Sequence, residues 1–209
     1  MDTSTRSTAR TVGVAVRALI LFTIVLGVGY TAVVTGIGQL AMPGPADGSL
    51  VRSGDGQVVG SALIGQSFSD AAGRPLPQYF QPRPSAAGAG YAPTASGGSN
   101  LGPDDPALVQ RIAARRAQVA AFDGVPAGEV PADAVTASGS GLDPDISVAY
   151  ALIQVDRVAR ARLLPVTTVR ALVEAHVQPP DLGYLGERRV NVLELDLALD
   201  GMSHDAQKG

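Results

Sequence analysis

The chain has 209 residues, room for one membrane segment and one domain with its own core, and its net charge of −3 argues against a general nucleic-acid binder. It has no Cys and one lysine, Lys208, which excludes disulfides, thiolate metal sites, a Cys nucleophile and a Lys-bearing P-loop. A composition 45% hydrophobic but only 4% aromatic, with no Trp, predicts a core of Val, Leu, Ile and Ala; 25 Gly and 15 Pro predict long loops.

No charge falls between Arg17 and Asp47, and Ala18 to Met42 is dense in Leu, Ile, Val, Gly and Ala. Roughly 20 apolar residues cross a bilayer, so this run meets the requirement. Arg6, Arg10 and Arg17 precede it and an acid follows, which places the N-terminus in the cytoplasm. The organisation read from this is a cytoplasmic tail over 1–12, a transmembrane helix over 13–42 and an extracytoplasmic domain over 43–209. The competing reading is a cleaved signal peptide, but its apolar region would span only about 7–15 residues. Gln39 to Pro43 is also a poor cleavage site. Gly27, Thr31 and Thr35 lie one turn apart, and Ala32 and Gly36 form a small-xxx-small pair, the pattern of a helix that packs on partner helices in lipid. Small residues are also common in any membrane helix. The glycines at 27 and 29 match a dinucleotide fingerprint only loosely and lack the preceding strand it needs.

Beyond the span, Val58 to Phe68 reads as a short strand region interrupted by glycines. The Pro/Gly/Ser-rich stretch over 74–106 cannot hold a long helix or central strand. Tyr79, Phe80, Tyr91 and Leu101 punctuate it, which predicts an ordered, wrapped loop. Asp104-Asp105-Pro106 opens a helix running to Asp123-Gly124, with Arg111, Arg115 and Arg116 on a solvated face. Val135 to Gly141 reads as a strand entering a tight turn. Asp143-Pro144-Asp145 then starts a helix over Ile146 to about Leu163, and Pro165 starts another to about His176. Pro179-Pro180 closes that region. Asn191 and Glu194 fit a capping box, whereas Leu193, Leu195, Leu197 and Leu199 alternate like a strand; the reading taken is a short helix. The fold class is an α+β extracytoplasmic domain anchored by one N-terminal transmembrane helix.

The chemistry-bearing residues are few. His176 sits late in a helix, where the dipole favours it, and His204 lies in a polar tail expected to fray. With no G-x-S-x-G elbow, a serine hydrolase is a poor fit. The acidic pairs Asp104-Asp105, Asp143-x-Asp145 and Glu194-x-Asp196 sit near helix starts, where caps explain them, so no metal site is expected. Ser138-Gly139-Ser140-Gly141 could form an anion nest of backbone N–H groups, but no Lys or Arg follows in the next turn; placing a helix is the plainer role. Gln154 and Arg157 share one helix face and need partners if buried. Asp156 and Arg160 are spaced for an i,i+4 pair worth ~0.2–0.5 kcal/mol.

Several strings then line up in order: Ala46 to Leu50, Gly60 to Gln66, Tyr79 to Ser85, Ser96 to Pro103, Thr136 to Ser147, Arg157 to Ala159, Leu185 to Glu187 and Val190 to Leu195. Together they resemble the C-subunit family of the Kdp potassium-transporting ATPase, from the membrane helix to about Leu199. The resemblance implies a bacterial inner-membrane complex that imports K⁺ using ATP. Its partners are the P-type ATPase subunit and a potassium-channel-like subunit, with membrane lipid around the span and no nucleic acid. It implies a non-catalytic role as an assembly factor and "catalytic chaperone", said to raise the ATPase subunit's affinity for ATP. No cofactor is assigned to this chain itself. With Lys208 its only lysine, the chain has no Asp-Lys-Thr-Gly-Thr phosphorylation motif. Arg188 and Asp196 depart from the family's usual Pro and Asn, which bears on local turn geometry.

ATP is cytoplasmic, so a domain outside the membrane would act on its affinity indirectly. The expected seating surface is the loop around Arg83, Ser85, Ser99 and Asn100, with Ser138, Ser140, Asp143 and Asp145 second, and Gly27, Thr31 and Thr35 in the span. These loops could equally just brace each other. A free-standing membrane-anchored envelope binding module is the alternative function; an envelope hydrolase is the third.

Overall fold

The computed structural model describes residues 3–206, with side chains over 8–202. Two compact units divide it, one ending at Ser49 and the other beginning at Leu50.

In the first unit, α1 (Thr3–Phe22) passes into a π-helical segment (Thr23–Tyr30) and then α2 (Thr31–Ala41). Among the described residues, Thr8–Ala41 is the one helix long and apolar enough to cross a bilayer. Its large apolar side chains are exposed all round, as suits a helix whose surroundings are lipid. Gly27 and Gly29 fall within the π segment, and the Thr31 hydroxyl donates to the Leu26 carbonyl five residues back at 3.5 Å. After Met42 a single turn, α3 (Pro43–Ala46), caps the helix; the Gln39 amide donates to the Asp47 carboxylate at 3.0 Å.

The second unit opens with an antiparallel hairpin, β1 (Leu50–Arg52) and β2 (Val58–Ser61). The strand expected over Val58 to Phe68 stops at Ser61, because the chain turns at once through a bridge between Ser61 and Ile64. From Arg74 to Asp105 there is no helix or strand. The loop is nonetheless wrapped onto the body, with Phe80 and Ala87 completely buried. In α4 (Pro106–Asp123), Asp105 accepts from the Ala107 N–H at 2.8 Å and Pro106 fills the first turn, as the sequence signals. Arg111, Arg115 and Arg116 are exposed on it.

Two 3₁₀ turns follow, Ala127–Glu129 and Ala132–Ala134. The strand expected over Val135 to Gly141 does not form. Its serines bind their own backbone instead of a neighbouring strand. The helix start expected at Asp143-Pro144-Asp145 is also displaced. Residues Asp145–Ser147 are β3, the edge of a three-stranded antiparallel sheet, and α5 (Val148–Arg162) begins only afterwards. Its cap is Ser147, whose hydroxyl accepts from the Tyr150 N–H at 3.0 Å and donates to Asp133 at 2.9 Å. Ala151, Gln154, Val155, Val158 and Ala159 form its buried stripe, at helical spacing. Leu163 takes a left-handed conformation (φ 56°) and Pro165 leads into α6 (Val166–Ala175). His176 ends that helix, its Nδ1 2.8 Å from the Leu172 carbonyl.

β4 (Val177–Gln178) lies where the sequence showed only a closing Pro-Pro, and β5 (Arg189–Asn191) pairs with both β3 and β4. The helix reading after Asn191 holds, in a longer element: α7 (Val192–Ala206), reaching past His204, whose side chain lies outside those described. Asn191 caps it by accepting from the Glu194 N–H at 3.1 Å. Asp196 is therefore inside a helix rather than in a turn. The core is aliphatic, as composition requires: Val155 and Val158 on α5, Val169 and Val173 on α6, and Leu195 and Leu199 on α7, covered by Ile146 and Val190 of the sheet. Each such side chain contributes about 1.5–3 kcal/mol through burial.

Candidate functional site

Two loops distant in sequence clasp each other over this core. Arg83 Nη1 pairs with Asp143 Oδ2 at 2.8 Å. The Ser85 hydroxyl donates to the Gly141 carbonyl at 2.6 Å and accepts from the Tyr91 N–H at 2.8 Å. The Tyr91 hydroxyl donates to the Arg83 carbonyl at 2.7 Å. The Ser140 carbonyl accepts from the Ser96 hydroxyl at 3.0 Å and from the Gly97 N–H at 2.8 Å. Two glycines permit the closeness. A Cβ on Gly65 would lie 2.5 Å from the Asp143 carbonyl oxygen. One on Gly141 would lie 2.6 Å from the Gly97 carbonyl oxygen, at a φ of 67° that also disfavours other residues.

The structure thus brings Arg83, Ser85, Ser138, Ser140, Asp143 and Asp145 together. Ser99 and Asn100 stay exposed beside the clasp, Asn100 in a left-handed conformation. The nest reading of the Ser-Gly loop does not survive. The Gly141 N–H donates to the Ser138 hydroxyl at 3.0 Å and the Leu142 N–H to the Ser140 hydroxyl at 3.1 Å, and the loop leads into a strand. Asp143 and Asp145 are ion-pair partners, not helix caps: Asp145 lies 3.2 Å from Arg189. Burial, reinforced by the neighbouring Asp143 charge, pushes the Asp145 carboxyl up, and Arg189 opposes this. In the other unit, Thr31 and Thr35 share an α-helical turn, as do Ala32 and Gly36. Gly27 lies in the π segment, and Thr31 directly follows that segment.

Beneath the clasp, residues 77–81 form a strap that belongs to no sheet; it leaves a turn in which the Tyr79 N–H donates to the Leu76 carbonyl at 3.3 Å. Arg157 donates to the Pro77 carbonyl (2.6 Å) and the Tyr79 carbonyl (2.9 Å). Arg162 donates to the Gln78 carbonyl at 2.7 Å. Gln154 brackets Gln81, accepting its N–H at 2.7 Å and donating to its carbonyl at 3.1 Å. Asp196 accepts the Phe80 N–H at 2.9 Å. Side chains of α5 and α7 thereby satisfy backbone groups of the strap that no regular secondary structure pairs. Arg157 also meets Asp123 at 2.7 Å, Gln154 at 2.6 Å and the ring of Phe122 at 4.4 Å. Asp123 ends α4, where the helix dipole disfavours an anion, so it depends on Arg157. The i,i+3 spacing of Gln154 and Arg157 was legible in sequence, but Asp123 and the strap carbonyls that engage them were not. The suggested Asp156–Arg160 ion pair is not made.

A cleft of about 660 Å³ opens beside the clasp, lined among others by Gln81, Arg83, Tyr91, Arg115, Phe122 and Tyr150. Burial pushes both tyrosine phenols up, so both stay neutral, and the Tyr91 hydroxyl is the one that donates to the Arg83 carbonyl. Among the described residues no group of three or more His, Cys, Asp or Glu is placed to hold a metal ion. The arrangement is polar and loop-built, with the two loops bracing each other.

The family described as "K+-transporting ATPase, c chain" (KdpC) matches residues 12–201. The potassium-transporting ATPase KdpC subunit of Caulobacter vibrioides is 54% identical over 180 residues, covering 86% of this chain and 87% of that one. That of Gemmatimonas aurantiaca is 56% identical over 181 residues, covering 86% and 87%. That of Mycobacterium tuberculosis is 49% identical over 187 residues, covering 89% and 95%.

Proposed function

This chain belongs to the KdpC family of potassium-transporting ATPase subunits, and from that premise we propose that it is the accessory, non-catalytic subunit of an ATP-driven K⁺ import complex. The observation that carries the reading is that one match runs from residue 12 to 201, through both the apolar helix and the folded body. Residues 1–12 lie in the cytoplasm, the span crosses once over 13–42, and the body from residue 43 lies outside, as the arginines before the span suggest. Thr31 and Thr35 face partner helices in the bilayer. The body seats on the channel-like subunit near its external K⁺ entrance. Exposed Ser99 and Asn100 make contact there, and the clasp of Arg83, Ser85, Ser138, Ser140, Asp143 and Asp145 holds that surface rigid. Pre-organisation of this kind lowers the ordering cost of association.

A chaperone effect on ATP affinity then works through coupling between sites on opposite sides of the membrane, without ATP touching this body. Purification in mild detergent through a tag on this chain tests the assignment. Stoichiometric recovery of the ATPase and channel-like subunits is expected, and a lone monomer from cells that express all subunits refutes it. A C-terminal tag that proteases reach from the cytoplasmic side refutes the topology.

A further inference from the structure

Asp196 is a buried carboxyl with no counter-ion in contact. Its residue is 1% exposed. Oδ1 accepts one N–H, from Phe80 of the strap, and Oδ2 has no hydrogen-bond partner. The charged and titratable groups facing it are all engaged with others. Arg157 on α5 is paired with Asp123 at 2.7 Å. Arg162 on α5 pairs with Asp200 of α7 at 2.7 Å, and the Tyr79 hydroxyl on the strap donates to that same Asp200 at 3.4 Å. A carboxylate charge here would lose its hydration and receive one backbone N–H in return, a far larger cost than burying the neutral acid.

We infer that Asp196 is a neutral carboxylic acid in the folded chain and that it latches the strap: when residues 77–81 open, the carboxyl reaches water and ionises there, so rising pH favours the opening. Phe80 is the largest completely buried side chain of the long loop, so the latch sits where that loop is anchored to the body. The electrostatics agree. Burial raises this carboxyl well above the ordinary carboxylate range, Asp200 adds to the rise, and the Phe80 N–H and the two arginines oppose it. Below the ordinary carboxylate value, folded and unfolded chains both hold the proton. Above that value and up to the raised folded one, only the folded chain holds it, so stability falls as pH rises through this window and then levels off. The external proton concentration would thereby tune the rigidity of the clasped surface.

Infrared spectroscopy and hydrogen exchange on the full chain in detergent test this. The carbonyl-stretch band of a protonated carboxylic acid is expected at pH 7 and absent from Asp196→Asn, which keeps the Oδ1 acceptor and cannot ionise. As pH rises towards the band's midpoint, exchange in peptides covering 77–81, corrected for its intrinsic pH dependence, accelerates by up to about tenfold per pH unit, and it levels off once the band is lost. In Asp196→Asn the corrected exchange stays flat. A wild-type chain without the band at pH 7, a band that persists in Asp196→Asn, or strap exchange that ignores the band's titration each overturns the proposal. The wild-type titration decides the matter even if the variant folds poorly.

Discussion

Replacing Arg157 by Met tests whether buried polar side chains, rather than a sheet, hold the strap. Arg157 is 4% exposed and its partner Asp123 3%, so solvent screens neither. The substitution keeps the apolar stem but removes bonds to Asp123, Gln154 and the carbonyls of Pro77 and Tyr79. Breaking a buried pair from one side leaves an uncompensated charge and costs about 3–5 kcal/mol. At roughly 2–4 °C per kcal/mol for a body of this size, the melting midpoint should drop by about 6–20 °C. With no Trp in the chain, urea denaturation is best followed by far-UV circular dichroism, with the slope m checked for constancy. The double variant Arg157→Met with Asp123→Leu should regain at least about 1 kcal/mol over Arg157→Met alone, since an apolar pair carries no stranded charge. A single-variant loss below about 1 kcal/mol, or a double variant no better than the single, refutes the reasoning.

Three further outcomes are expected. Gly65→Ala should destabilise the body by about 1–3 kcal/mol, because its methyl meets the Asp143 carbonyl and the Tyr91 ring; an unshifted urea midpoint would contradict the close packing of the clasp. Asn191→Ala should cost about 1–2 kcal/mol, as it uncaps α7 and removes the bond to the Ala62 carbonyl (2.9 Å), read as a lower midpoint at unchanged m. Replacing Thr31 and Thr35 together by Leu should reduce recovery of the assembled complex while the body's urea midpoint stays put; full recovery would show that the face carrying Thr31 and Thr35 does not matter.

The sequence by itself determined what depends on neighbours along the chain. The apolar run without charges is a helix long enough to cross a bilayer, a property of its own twenty-odd residues. Asp105-Pro106 opens α4 and Asn191 caps α7 because a cap reaches just two or three residues ahead. Tertiary structure decided whatever rests on partners far away in sequence. Asp143-Pro144-Asp145 carries a sound local signal for a helix start, yet Ile146 pairs with Val190 across the sheet, so the chain stays extended until Ser147. The Pro-rich loop looked unable to hold a long helix or a central strand, and it holds neither. Its order comes from Gln154, Arg157, Arg162 and Asp196, which meet the strap only once α5 and α7 have packed. The clasp is of the same kind, since Arg83 and Asp143 stand 60 positions apart. A local pattern fixes backbone geometry over a few residues, whereas burying a polar group demands a partner that only the closed chain can deliver.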